Sequence, residues 1–241
     1  VRYAIVSDIH GNYEAFTAVL DVIDGMDVDG IVCLGDVVGY GANPNEVVQL
    51  VRTRADVTIR GNHDEAAIDP AQEAYFNSWA VQAIRWTRDK LTTESVDYLT
   101  SLAYEAFLPD VHLVHASPGE PEKWRYILSP QAAAREFSNF EESFCFIGHS
   151  HVPMIVLRTE VGTSELLDGE VALPAGARVL INVGSVGQPR NGDPRACFAV
   201  LDLEDRSVRL VQVPYDIDTA RAKIVESGLP RFLGDRLLLG Q

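Results

Sequence analysis

Five short stretches of the chain share one design: an apolar, strand-like run ends in a tight turn that carries histidine, aspartate or asparagine. Asp8-Ile9-His10-Gly11-Asn12 follows the run 3–7, Gly35-Asp36 follows 31–34, and Gly61-Asn62-His63-Asp64 follows 56–59. His115 ends Leu113-Val114-His115, and Gly148-His149-Ser150-His151 follows Phe146-Ile147. Five of the six histidines belong to this pattern. Groups just beyond the carboxyl ends of parallel strands converge on one crevice. The repeated design therefore predicts a sheet whose strand ends gather Asp8, His10, Asp36, Asn62, His115, His149 and His151. Any one of these turns alone is ordinary turn chemistry, and a lone His115 reads as a core histidine. Five of them in register with five strand ends do not reduce to that.

The rest of the pattern supports such a sheet. Residues 12–23 read as a helix capped by Asn12, with Ala15, Val19, Val22 and Ile23 on one face. Asn43-Pro44 opens a second helix, Asn as cap and Pro at the first helical position, with Val47, Val48 and Val51 inward. Strand-helix-strand-helix-strand is the pattern of parallel crossovers. Asp69-Pro70-Ala71-Gln72 predicts a capped long helix to about residue 90. A shorter helix follows over about 94–102, Val111 to Val114 reads as strand, and Ser129-Pro130 opens another helix. After residue 151 strand-like runs dominate, at 154–158, 179–183, 197–203 and 207–213, before a last helix over 216–226. The chain has 241 residues, against a prior of about 150 per domain, and shows no linker or repeat. The expectation is a single α/β domain over residues 1–241, a four-layer αββα β-sandwich with flanking helices.

Composition narrows the partners. Twenty basic against 35 acidic residues give a net charge of −15, which disfavours nucleic-acid backbones and anionic membranes. A small phosphorylated substrate stays compatible, because bound metal ions can reverse the sign locally. No apolar run approaches the ~18 residues of a membrane span, and the opening run 2–6 has no basic-then-apolar leader, so no signal peptide is expected. Cys33, Cys145 and Cys197 are odd in number, form no CxxC pair and sit among apolar residues. They read as buried reduced thiols, which suits a cytoplasmic location. The apolar tail, 229–233 and 237–239, is expected to pack on the domain or on a neighbouring subunit, leaving a homo-oligomer open.

Carboxylate and amide oxygens with imidazole nitrogens, and no thiolate, suit two divalent transition ions bridged by a shared carboxylate, with Mn, Fe, Zn, Ni or Co all compatible. Two ions ~3.5–4 Å apart clamp both oxygens of an in-line phosphoryl displacement and make hydroxide available near neutral pH.

The ordered set of turns resembles the calcineurin-like metallophosphoesterase superfamily, matching over about residues 1–190. The segment Asn182-Val183-Gly184-Ser185-Val186-Gly187-Gln188-Pro189-Arg190 resembles the end segment of its compact bacterial and archaeal phosphodiesterase branch. The resemblance implies that Asp8, His10 and His151 hold one metal, that Asn62, His115 and His149 hold the other, and that Asp36 bridges them. It implies a catalytic role for His63, near the substrate, as acid for the leaving oxygen. It also implies hydrolysis of a small phosphodiester, a cyclic or nucleotide ester, by a metal-bridging hydroxide. Two departures bear on the branch. Gly39 stands where the protein-phosphatase branch has a carboxylate that orients the histidine, and Tyr40 where it has a phosphate-binding arginine. That weakens a phosphoprotein phosphatase reading. A phosphomonoesterase remains the enzymatic alternative, and a scaffold that keeps the fold is the non-enzymatic one. A scaffold drifts at ligand positions, and here all seven are filled. Arg60 and Arg190 are candidates for substrate phosphate, His112 for a structural role, and Trp79 and Trp86 for the core.

Overall fold

The computed structural model describes residues 1–166 and 169–241. The first half alternates as the pattern requires: β1 (Arg2–Val6), α1 (Tyr13–Asp24), β2 (Gly30–Cys33), α2 (Pro44–Arg54) and β3 (Val57–Thr58). Helices α3 (Asn62–Ile68), α4 (Ser78–Lys90) and α5 (Thr93–Ser101) lead to the hairpin β4 (Glu105–Leu108) and β5 (Val111–Val114). Then come α6 (Pro130–Glu136), β6 (Phe144–Ile147), β7 (Met154–Thr159), β8 (Gly162–Leu166), β9 (Glu170–Ala172) and β10 (Arg178–Asn182). The chain closes through β11 (Ala196–Asp202), β12 (Ser207–Val213), α7 (Ile217–Glu226) and α8 (Arg231–Asp235).

The strands form two sheets, ordered β3-β2-β1-β11-β12-β9 and β4-β5-β6-β10-β7-β8. Each contains a parallel trio, β3-β2-β1 in one and β5-β6-β10 in the other. Alternate residues of these strands point to opposite faces, and both faces are buried. Ile5, Val32, Leu34, Phe144, Phe146 and Ile181 meet between the sheets. Ala4, Val6, Ile31 and Cys33 face the other way, onto Phe16, Val19, Val47 and Val51 of α1 and α2. Cys145, Ile147 and Leu180 pack under Ala133 and Phe137 beside α6. The layers therefore run helix, sheet, sheet, helix. The three cysteines are buried free thiols on β2, β6 and β11. Among the described residues, no helix is long and apolar enough to cross a membrane.

Local chemistry explains where the elements depart from expectation. Asn12 caps α1 as read, accepting the Ala15 N–H at 3.1 Å. Asn43 does not cap α2 with its side chain; its amide donates instead to Glu46. The long helix expected from residue 70 is two elements. Asp69 accepts the Ala71 N–H and starts only a 3₁₀ turn, Pro70–Tyr75, before Phe76 turns extended. Asn77 then captures the Trp79 and Ala80 N–H groups and restarts the helix as α4, since such a cap competes with continued helix. Trp79 is not core but 45% exposed, its ring tilted against that of Phe232. Trp86 is half-buried and donates to the Ser227 carbonyl. His112 is buried, bonded to Glu105 and stacked on Phe107. The apolar tail packs on its own chain: Leu229, Leu233 and Leu237 join Tyr40, Ala80, Ala83, Ala220 and Ile224.

Candidate metal centre and cleft

Every polar turn named above sits at the carboxyl end of a strand or just past it, and the two parallel trios bring these ends together. One ligand atom each from Asp8, His10, Asp36 and His151 lie within 4.8 Å of one another, as do those from Asp36, His115 and His149. Asp36 belongs to both groups. Its Oδ2 faces His10 Nε2 at 3.6 Å and His115 Nε2 at 3.5 Å, while its Oδ1 accepts the His63 N–H at 2.7 Å. Asn62 Oδ1 lies 3.2 Å from His115 Nε2, which adds it to the second group. All seven residues are buried.

The protons in this cluster are committed elsewhere. A carbonyl oxygen only accepts, so a ring nitrogen facing one carries the hydrogen. His10 Nδ1 faces Val38 O, His151 Nδ1 faces Gln188 O, and His115 Nδ1 faces Leu34 O, at 3.1, 2.6 and 2.8 Å. His149 is turned the other way, with Nε2 on Trp124 O at 3.0 Å, so its Nδ1 is the free nitrogen. Backbone carbonyls orient metal-binding histidines in just this way. The outcome is that His10 Nε2 and His151 Nε2, both lone pairs, face each other at 3.1 Å. Asp8 Oδ1, 3.2 Å from His151 Nε2, is buried with no hydrogen-bond partner. Two nitrogen lone pairs and an orphaned carboxylate oxygen at one point are a donor set for a cation. Burial also holds His10 and His151 well below the usual imidazole range and His149 down to about 3, the neutral form that a metal needs. Burial pulls His115 down too, but the Asp36 charge and hydrogen bond outweigh it and carry it up to about 9.

The backbone is strained to make this cluster. Asp8, His10, Asp36, His149 and His151 all adopt positive φ, between 51° and 65°, a conformation costly for residues with a Cβ and concentrated at functional sites. Glycines admit the close approaches. A Cβ on Gly61 would meet Asp36 Oδ1 at 2.2 Å, and one on Gly148 would meet Ser7 Oγ at 2.0 Å and Asp8 Oδ2 at 2.4 Å. Asp64 braces the same turns, accepting the N–H groups of Val37, Val38 and Gly61. Burial, then the neighbouring Asp36 charge, raises it to about 7.

A cleft of about 800 Å³ opens beside Asn62, His63 and His149. Its walls carry the aromatics Tyr40, Tyr75, Phe76, Trp124 and Tyr126 and the cations Lys123, Arg125, Arg190 and Arg236. His63 has its Nδ1 buried without a partner. Its ring is held 4.4 Å from Tyr40, 4.7 Å from His10 and 4.8 Å from Phe76. A Cβ at Gly39 would stand 2.5 Å from that Nδ1, so no orienting carboxylate fits there, and Asp64 spends its oxygens on the backbone. Burial lowers His63 to about 4.

The two arginines separate. Arg190 lines the cleft, its guanidinium on Gln188 Oε1 and 5.7 Å from the Tyr40 ring centre. Arg60 is not among the lining residues; it is paired with Glu65 at 2.7 Å, donates to Thr100 O and covers Tyr104. Glu65 lies on α3, a helix where the sequence reading expected only a turn after the strand. Two contributors escaped the sequence reading. Trp124, whose carbonyl fixes His149, carries no local signal beyond an aromatic in a loop. Arg236 comes from the tail, where only the apolar spacing 229-233-237 hinted at docking. Burial, then the charge of Arg190, lowers Arg236 to about 10.

Comparison with known proteins identifies the family. The calcineurin-like phosphoesterase superfamily domain matches residues 1–206. An uncharacterized protein of Methanocaldococcus jannaschii is 40% identical over 242 residues, covering 99% of this chain and 98% of its own. The crystal structure of a metallophosphoesterase from Sphaerobacter thermophilus is 38% identical and superposes with a TM-score of 0.88, both chains covered in full. A hypothetical protein from Pyrococcus horikoshii shares the fold at 21% identity, with a TM-score of 0.81 over 100% of this chain and 98% of its own. The chain therefore belongs to the calcineurin-like phosphoesterase superfamily.

Gly148→Ala tests the packing of the centre. The added methyl drives Asp8 and Ser7 apart, so the variant is expected to keep its fold by circular dichroism but lose at least half of the divalent metal that wild type takes up. Full metal uptake by Gly148→Ala would contradict the close approach.

Proposed function

We propose that this member of the calcineurin-like phosphoesterase superfamily is a binuclear metal-dependent phosphoesterase that hydrolyses a small phosphodiester. The observation that carries the reading is the pair of donor groups sharing Asp36, with their ring protons turned outward onto carbonyls. Asp8, His10 and His151 would hold one divalent ion, Asn62, His115 and His149 the other, and Asp36 Oδ2 both. Mn, Fe, Zn, Ni and Co are each compatible with these donors. When bound, such ions supply Lewis acidity to phosphoryl oxygens and lower the pKa of water toward neutrality.

The chain's own residues do the rest. The cleft accepts the ester beside the centre, and its aromatic walls favour an organic group such as a nucleoside or a cyclic nucleotide. Arg190, on the cleft wall, would bind phosphate oxygens of the substrate outside the reacting centre, and a guanidinium fork suits that contact. Arg60 is spent on Glu65 and Thr100 and has no part in the proposal. His63, held by Tyr40, Phe76 and Gly39 with its ring at the cleft wall, would donate a hydrogen bond to the departing oxygen. Comparing turnover of bis(p-nitrophenyl) phosphate with that of p-nitrophenyl phosphate, after chelation and reloading with each metal, tests the reading. The diester is expected to be the better substrate; a strong preference for the monoester would favour a phosphomonoesterase.

Two predictions follow from these roles. Asp36→Asn removes a charge shared by two sites, whereas Asn62→Ala removes one neutral oxygen from one site. Asp36→Asn is expected to be the less active and to lose more metal, and equal retention of both ions in Asp36→Asn would remove the bridging role. His63→Ala is expected to keep its metal and lose turnover by the lower end of the ~10²–10⁴-fold typical of a proton donor. The loss should be larger for an alkyl or ribose leaving group than for nitrophenolate, which needs little protonation. An equal drop for both would make His63 a positioning group.

A further inference from the structure

The cations of the cleft are not equivalent. Lys123 and Arg125 both pair with Glu120. Arg190 has the neutral Gln188 amide and the Tyr40 ring, and Arg236 the main-chain oxygen of Gln241 and the Phe232 ring. Neither pairs with an Asp or Glu side chain among the described residues. Both guanidinium groups line one cleft, partly withdrawn from water, and the charge of Arg190 acts unfavourably on that of Arg236. Of the residues lining the cleft, the acidic one is Glu122, and it pairs with neither arginine among the described residues.

The fold holds the pair together by a dedicated clasp. Leu229, Leu233 and Leu237 fix the tail against Ala80, Ala83 and Ile224. Past Arg236 the chain turns through Gly240 at φ +61°, and the Gly240 carbonyl accepts the Gly192 N–H at 2.9 Å. The approach is so close that a Cβ on Gly240 would meet the Asp193 backbone at 2.6 Å. The clasp thus joins the turn carrying Arg236 to the segment two residues beyond Arg190, and both side chains reach the cleft wall with Tyr40.

We propose that Arg190 and Arg236 form an anion subsite beside the metal centre, which reads a second phosphoryl group on the substrate. The substrate class is then a phosphodiester that carries a further phosphate, of the nucleotide kind, rather than a simple diester. The inference rests on the phosphoesterase reading for its substrate but not for its binding site, and the two are separable.

The binding arm uses chelator-treated full-length protein titrated calorimetrically with inorganic phosphate, so it does not depend on hydrolysis. Arg236→Met keeps the apolar stem over Phe232 and removes the charge; Arg236→Lys restores a charge. Phosphate affinity is expected to fall at least tenfold in Arg236→Met and to recover to within about threefold of wild type in Arg236→Lys, with melting temperatures unchanged. Equal phosphate affinity in wild type and Arg236→Met would overturn the subsite. The substrate arm compares the metal-loaded enzyme on the p-nitrophenyl ester of thymidine 5′-phosphate with and without a 3′-phosphate. The phosphorylated ester is expected to have the higher kcat/KM by tenfold or more, chiefly through KM, and Arg236→Met to lose that preference. Equal kcat/KM for the two esters in wild type would overturn the substrate class. Failure to hydrolyse either ester would count against the phosphoesterase reading, while the phosphate titration still decides the subsite.

Discussion

Two imidazole nitrogens 3.1 Å apart, each with its ring proton given away to a backbone carbonyl, are the interaction around which this protein is arranged. Lone pairs so placed repel, and the carboxylate oxygen beside them, Asp8 Oδ1, has no donor either. In a buried setting an unpaired polar atom costs about 1–3 kcal/mol, and more when it is charged. A cation removes the conflict at one stroke. The second group brings His115 and His149 together with Asn62 beside them, and Asp36 belongs to both groups.

The fold supplies both the convergence and the stability that such a cluster consumes. Parallel strands buried on both faces end on the same side, and the sheet-on-sheet core of Phe144, Phe146, Ile181 and their neighbours fixes one set of ends against the other. The backbone then does what residues with a Cβ resist, placing five polar residues of the cluster at positive φ. Strain of that kind, of order 1–3 kcal/mol per residue, persists only where the surroundings over-determine it. Here Asp64 locks two of the turns through three backbone N–H groups, and glycines 61 and 148 let a carboxylate come within contact of the main chain.

Much of this was legible in the sequence, because it rests on local features. The strand-end turns announced the cluster, and the crossover pattern announced the two layers around it. What was not legible depends on which distant segments meet. Nothing near Asp69 shows that its helix fails within six residues, because the break is made by Asn77, a competing cap whose effect is to leave Phe76 against His63. Arg60 stands next to a site motif yet is spent on Glu65, since α3 turns that carboxylate toward it. Arg236 lies far from every motif and reaches the cleft only because three leucines dock the tail. The matched family span, residues 1–206, takes in the centre and all the named cleft wall except Arg236.

A shared carboxylate is the central claim, and locating the ions tests it most directly. Crystals of the protein soaked in a manganese salt after chelation, with anomalous scattering collected near the manganese edge, show where the ions sit without reference to turnover. The account predicts two peaks ~3.5–4 Å apart, one between Asp8, His10 and His151 and one between Asn62, His115 and His149, with Asp36 Oδ2 touching both. A single peak, or two that Asp36 does not join, would contradict it.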